Sequence, residues 1–297
     1  MASKSERVAV VTGGNKGIGF EICRRLADEV TVVLTARDEK RGVDAVAKLH
    51  SFGSVDVIFH QLDVTDPISI ASLANFIKMQ FGKLDILVNN AGVASTYHDK
   101  EWFKGQNLPS EITDDDAKKS KDVAIQTFEG AQKCLETNYY GVKHVTQALL
   151  SLLIKSSSPR IVNITSRFGQ LKNVQDETAR KILSDFDVLT EELVDGVVSG
   201  YLKDVNDQVL EKKGWSSDVS GYIISKAALN AYTRILAKKY PSICANVVNP
   251  GFVATDITLF QGTTTVKEGA RGPIRVALMP DGGPSGRYFS MMEESTF

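Results

Sequence analysis

The sequence predicts an α/β fold: a doubly wound, open parallel sheet of about seven strands with helices on both faces. Three observations predict it. Short β-rich runs alternate with helix-period segments, the runs falling at residues 8–11, 31–34, 55–59, 86–88, 160–164, 245–248 and 288–290. These runs are continuously apolar rather than alternating, as strands buried on both faces of a parallel sheet are. The first of them breaks into Thr12-Gly13-Gly14-Asn15-Lys16-Gly17-Ile18-Gly19, a glycine-rich turn that opens a helix.

Each element has its own signal. In the first helix Ile18, Ile22, Cys23 and Leu26 form one apolar stripe. The turn that follows, Ala27-Asp28-Glu29-Val30, lacks the glycine usual just past a helix end, and the sequence gives no account of how it closes. Asp66-Pro67 precedes a helix carrying Leu73, Phe76, Ile77 and Gln80. A long helical stretch over 131–153 contains Asn138, a poor helix former. Repetition of the βαβ unit gives a Rossmann-type sheet with right-handed crossovers, and the 297 residues are read as one domain with two inserts. The first insert, about 95–133, is polar and charged and reads as a solvated loop with short helices. The second, about 170–218, carries Leu193, Val194, Val197, Val198, Tyr201, Leu202 and Val205 at helical spacing after a Thr190 cap. That helix covers either the body of the domain or a substrate.

Composition narrows the function. Thirty-five basic against thirty-six acidic side chains give a formal charge of −1, so no global field holds the chain on nucleic acid or an anionic membrane. No apolar run reaches the ~20 residues of a spanning helix, and the N-terminal segment lacks a signal-peptide core. Cys23, Cys134 and Cys244 are odd in number and far apart, which suits reduced thiols and a cytoplasmic protein. The histidines His50, His60, His98 and His144 show no ligand spacing, so no metal is expected. Asn163-Ile164-Thr165 matches a glycosylation acceptor but lies in an apolar run, so Asn163 reads as a buried strand residue.

The glycine turn points to a dinucleotide. Gly13, Gly17 and Gly19 let the backbone fold tightly and approach a pyrophosphate, and the helix N-terminus presents free N–H groups to it. Strand two runs into Thr35-Ala36-Arg37 where a carboxylate would mark an unphosphorylated ribose. Arg37, with Lys16 in the turn, favours NADP(H) over NAD(H), while the adjacent Asp38 competes for the ribose. Further along, Tyr222 and Lys226 stand four positions apart, which puts a phenol and an ammonium on one helix face. A free phenol titrates near ~10, and the ammonium is expected to depress that value toward a working acid.

Together these motifs resemble the short-chain dehydrogenase/reductase family over nearly the whole chain. Thr12-Gly13 with Gly17 and Gly19 resembles its cofactor turn, Asn89-Asn90-Ala91-Gly92 its strand-four motif, and Asn138, Ser166, Tyr222 and Lys226 its catalytic tetrad. Leu62-Asp63-Val64 resembles the adenine-contacting segment, and Asn249-Pro250-Gly251 with Thr255 the segment at the nicotinamide end. The resemblance implies Tyr222 as general acid, Ser166 as the hydroxyl that steadies the substrate oxygen, Lys226 on the ribose, and a helix distortion at Asn138 that holds a proton-relaying water. It adds Asn15, Ile18, Asn90, Ala91, Gly92, Pro250, Gly251, Val253 and Thr255 to the cofactor site, beside Lys16, Arg37, Asp63 and Val64. The 56 positions from Ser166 to Tyr222 resemble the monomeric carbonyl-reductase subgroup, and other segments resemble plant members that act on cyclic terpenoid and alkaloid ketones.

A monomeric NADPH-dependent ketone reductase is therefore expected, with Phe168, Trp215, Phe252, Val253, Ile257 and Phe260 as candidate substrate walls. Its partner is a small cyclic ketone or alcohol. The alternatives are a reductase of an activated C=C bond in a cyclic enone, and a non-catalytic NADPH-binding protein.

Overall fold

The computed structural model describes residues 7–94, 126–216 and 219–297. Its strands are β1 (Val8–Val11), β2 (Thr31–Ala36), β3 (Val57–Gln61), β4 (Ile86–Asn89), β5 (Arg160–Ile164), β6 (Cys244–Asn249), β7 (Tyr288–Ser290) and β8 (Glu293–Ser295). They form one sheet in the order β3-β2-β1-β4-β5-β6-β7-β8, parallel throughout except for the antiparallel pair β7–β8. The order reverses between β1 and β4, and the crevice at their carboxyl ends is where such sheets bind ligands.

Seven strands fall where the apolar runs predicted them, and among the described residues an eighth joins them. β8 is short, polar and exposed, so it carries no apolar signal. The run at 55–59 shifts to Val57–Gln61: Val55 is 68% exposed, and pairing begins at Val57 opposite Val32.

Helices α1 (Gly17–Leu26), α2 (Glu39–Ser51) and α3 (Pro67–Phe81) follow the first three strands. Asp66 caps α3 by accepting from the Ile68 and Ser69 N–H groups, with Pro67 at the first helical position. The turn after α1 closes without a left-handed residue: Glu29 and Val30 N–H both bond the Leu26 carbonyl at 2.9 Å, and Asp28 N–H reaches Arg25. The 131–153 stretch is α4 (Phe128–Leu135), a π-helical turn (Glu136–Tyr140) and α5 (Gly141–Leu153). Then come α6 (Glu177–Ser184), α7 (Glu191–Asn206), α8 (Ser220–Lys239), α9 (Val266–Gly269) and α10 (Arg271–Ala277). One core, with Leu73, Ile77, Tyr139, Leu149 and Tyr232, lies on one sheet face, and a second, with Ile22, Leu26, Leu49 and Val276, lies on the other. Asn163 is fully buried in β5.

Most of the first insert, 95–125, lies outside the described residues. In the second, α7 packs on α4 and α8 with Val194, Val198 and Tyr201 buried, so it covers the body of the fold. Polar contacts fix it there. Asp195 accepts from Tyr139 Oη at 2.7 Å and from Lys143 Nζ at 2.8 Å, and Tyr201 Oη shares a hydrogen bond with Ser220 Oγ at the start of α8. Among the described residues no helix is long and apolar enough to cross a membrane.

Removing the Asp195 acceptor leaves the fully buried Tyr139 hydroxyl without its partner. Asp195→Ala is expected to lose about 1–3 kcal/mol in urea unfolding, and Asp195→Asn, which keeps an acceptor for the phenol, clearly less. Equal losses would show that the tyrosine bond is not what anchors α7.

Candidate active site

Lys226 is the side chain around which the site closes. It lies one turn beyond Tyr222 on α8, and its ammonium is 5.8 Å from the Tyr222 ring centroid. Only 5% of the residue is exposed, and Nζ donates to the Ile164 carbonyl at the end of β5, at 2.8 Å. Burial pushes its pKa down to about 8, with the Cys134 thiol nearby acting weakly in the opposite sense.

Tyr222 departs from the sequence expectation. Its phenol is pushed up to about 12, chiefly by burial, next by the nearby Cys134, while a hydrogen bond with Ser166 works to lower it. Lys226 does not depress it: the ammonium spends a hydrogen bond on Ile164, and desolvation disfavours charge on both side chains. Each member of the pair is driven toward its neutral form. Ser166 stands just past β5, where its Oγ also accepts from the Phe168 N–H at 3.3 Å.

Asn138 sits in the π-helical turn, fully buried, so the expected distortion is present. Its carboxamide is held by protein groups at both ends. Oδ1 accepts from Val93 N–H at 2.9 Å, while Nδ2 faces the Val93 carbonyl at 2.9 Å, Ser225 Oγ at 3.0 Å and Cys134 Sγ at 3.1 Å. Two amide protons are shared among three acceptors, while Oδ1 keeps a second lone pair beyond its bond from Val93. Ser225 in turn donates to the Tyr222 carbonyl at 2.8 Å, which ties the π-turn to the reactive stretch of α8. Sequence reasoning missed Ser225 and Cys134. The signal was position: Ser225 lies inside the Tyr-Lys motif, and Cys134 is one turn before Asn138.

The glycine turn is a cradle that side chains would fill. A Cβ added at Gly19 would come within 2.4 Å of Asn90 Nδ2 and 2.5 Å of the Gly13 carbonyl. Gly13 has φ +63° and its added Cβ would lie 3.1 Å from Ala91 Cα. Asn90 holds the turn by donating to the Thr12 and Gly13 carbonyls, and Thr12 Oγ1 receives the Asn90 and Ala91 N–H groups. No side chain caps α1, whose first N–H groups face the turn where Asn15, Gly17 and Ile18 lie. Bare backbone donors at a helix start, walled by Gly92 and the Gly251 loop, fit a dinucleotide pyrophosphate. At Gly92 an added Cβ would lie 3.2 Å from Asn138 Oδ1 and 3.6 Å from Lys226 Nζ, so the cradle reaches the reactive pair.

The outer residues divide. Arg37 is exposed at the end of β2, whereas the Asp38 carboxylate accepts the Arg41 N–H at 2.8 Å as the cap of α2 and is committed there. Asp63 accepts from Thr65 N–H and Oγ1, and Val64 packs beside Gly141. Lys16 is ion-paired with Asp256. Pro250 is buried, Gly251 has φ +89°, Val253 bridges to Thr264, and Thr255 lies over Gly17.

Of the substrate candidates, Phe168 meets the Tyr222 ring edge-on at 6.2 Å and Phe252 is half-buried, while Ile257 and Phe260 are exposed. Trp215 is buried, with 7% of its surface exposed. Its ring packs edge-on against Tyr201 at 5.2 Å and its N–H donates to Asp204 at 2.9 Å, within the core that α7 covers.

Comparison with known proteins agrees with this geometry. The family profile described as short chain dehydrogenase matches residues 7–177. Salutaridine reductase of Papaver bracteatum is 51% identical over 98% of this chain and 96% of its own. (+)-Neomenthol dehydrogenase of Arabidopsis thaliana is 48% identical over the full length of both. The structure of salutaridine reductase from Papaver somniferum superposes with a TM-score of 0.89 at 49% identity, covering 95% of this chain and 99% of that one.

Burial of Lys226 has a pH signature. The folded chain releases this proton near pH 8, whereas the unfolded chain holds it to the ordinary ~10.4. Between those values the unfolded state binds more protons, so stability rises with pH; below about 8 both states are protonated and the full burial cost is carried. Lys226→Met, with no charge to bury, is expected to exceed the wild type in stability by up to about 3 kcal/mol at pH 7, a gap that narrows toward pH 10. Urea unfolding at the two pH values measures it, and a constant gap would contradict the assignment.

Proposed function

The chain belongs to the short-chain dehydrogenase family, and from that premise we propose that it is an NADPH-dependent reductase of the carbonyl group in a cyclic terpenoid-like or alkaloid-like ketone, or catalyses the reverse alcohol oxidation. The observation that carries this reading is the Tyr222 hydroxyl, hydrogen-bonded to Ser166 and one helical turn from a buried lysine, beside a glycine cradle. Relatives named for salutaridine and neomenthol support the substrate class.

The residues divide the work as follows. NADPH, when bound, supplies hydride to the carbonyl carbon. Tyr222 holds the proton that the carbonyl oxygen needs, and a phenol displaced to about 12 keeps it at neutral pH. Ser166 steadies that oxygen with a neutral hydroxyl and then stabilises the phenolate left on Tyr222. Lys226, cationic below about pH 8, offsets the new negative charge and has N–H groups beyond its Ile164 bond for the ribose hydroxyls. The phenol's strength as an acid thus arises during the reaction rather than being present beforehand. Phe168, edge-on to the Tyr222 ring, gives that side of the site an apolar wall such as a cyclic ketone requires.

Arg37 and Lys16 favour the 2′-phosphate, while the Asp38 carboxylate is partly engaged by its helix cap. The remaining cofactor contacts are assigned to Gly13, Asn15, Gly17, Ile18, Gly19, Asp63, Val64, Asn90, Ala91, Gly92, Pro250, Gly251, Val253 and Thr255. We read the protein as a single cytoplasmic domain that works as a monomer, a reading supported by α7 lying over α4 and α8.

Tyr222→Phe is expected to lower turnover about 10²–10⁴-fold while NADPH still binds, as measured by steady-state kinetics beside a binding titration. Unchanged turnover would remove Tyr222 as the acid. Offered a cyclic enone, the wild type is expected to yield the allylic alcohol; a saturated ketone on chiral chromatography would favour the C=C reductase reading instead.

A further inference from the structure

Lys16 and Asp256 meet across the glycine turn. Lys16 is the N-cap residue of α1, but its side chain caps nothing; its ammonium is hydrogen-bonded and ion-paired with the Asp256 carboxylate. Asp256 opens a one-turn 3₁₀ segment, Asp256–Thr258, in the loop after β6. That segment is braced from within, with Thr258 Oγ1 donating to the Val253 carbonyl at 2.6 Å and Thr255 N–H donating to Thr258 Oγ1 at 3.1 Å. It is also seated on the turn: a Cβ added at Gly17 would lie 3.5 Å from Thr255 Cγ2. A carboxylate on a braced segment is thus held against the cation that faces an incoming cofactor. Both partners are about half exposed, 59% and 50%, so the pair is weak and exchangeable.

We propose that Asp256 is an internal counter-anion that competes with the 2′-phosphate of NADPH for Lys16, and so sets the margin by which NADPH is bound over NADH. This rests on reading Lys16 and Arg37 as the phosphate site. A phosphate monoester carries about −1.5 to −2 charges at neutral pH against one for the carboxylate, so it displaces Asp256 from the ammonium. A ribose hydroxyl carries none and leaves the pair intact. The loop after β6 is therefore tied to the glycine turn in the free protein and with NADH, and is freed at this point only by the phosphorylated cofactor.

Isothermal titration of the full chain with NADPH and NADH tests this, using wild type, Asp256→Asn, Lys16→Gln and the double variant. Asp256→Asn is expected to tighten NADPH binding about two- to fivefold and leave NADH unchanged, the NADH value also reporting an intact site. In the Lys16→Gln background the gain is expected to vanish. Unchanged or weaker NADPH binding by Asp256→Asn, in a protein whose wild type prefers NADPH, overturns the proposal and leaves the cofactor reading standing. A gain that persists without Lys16 overturns it as well. A wild type that binds both cofactors alike overturns both.

Discussion

A lysine ammonium buried beside a phenol, with no carboxylate among the described residues to neutralise it, is the constraint that organises this molecule. Among the described residues, burial dominates the displacement of Lys226, and no acidic side chain contributes to it. Such a charge persists only where backbone carbonyls and polar groups replace water. The sheet provides that replacement. β5 ends with the Ile164 carbonyl facing Nζ, and β4 ends in the segment that runs through Gly92, where a side chain would crowd Asn138 and touch Lys226. The π-turn supplies Asn138, and Ser225 fastens that turn to α8. Fold and site are therefore one arrangement: the parallel order that buries β4 and β5 also brings their carboxyl ends to the reactive helix.

On the proposed reading of Tyr222 as the general acid, this arrangement bears on how that acid works. Burial holds Tyr222 protonated and leaves Lys226 cationic below about pH 8, so the cation's stabilisation would be realised when negative charge develops on the phenol. The same economy of charge appears at the cofactor mouth, where Asp38 is committed to a helix cap and Asp256 to Lys16.

Much of this was legible in the sequence because it rests on local patterns. Continuous apolar runs mark strands buried on both faces, which is why 8–11, 160–164 and 288–290 coincide with strands to the residue. The glycine turn and the Tyr222–Lys226 spacing are equally local. What the sequence concealed depends on tertiary neighbours. β8 is polar and pairs only because β7 lies beside it, and Trp215 looks like a pocket wall until Tyr201 and Asp204 enclose it. The direction of the Tyr222 displacement follows from how dry the site is, and no spacing of residues encodes that. Asp38 looked like a ribose competitor because its role depends on a helix that begins only after it.

The most direct measurement is NMR titration of the Lys226 side chain in ¹³C-lysine-labelled protein without cofactor, assigned by comparison with Lys226→Met. A midpoint near pH 8 is the result this account predicts. A midpoint at the ordinary ~10.4 would mean the ammonium is hydrated or paired with a counter-charge, and would contradict the claim that a dry, uncompensated cation stands beside Tyr222.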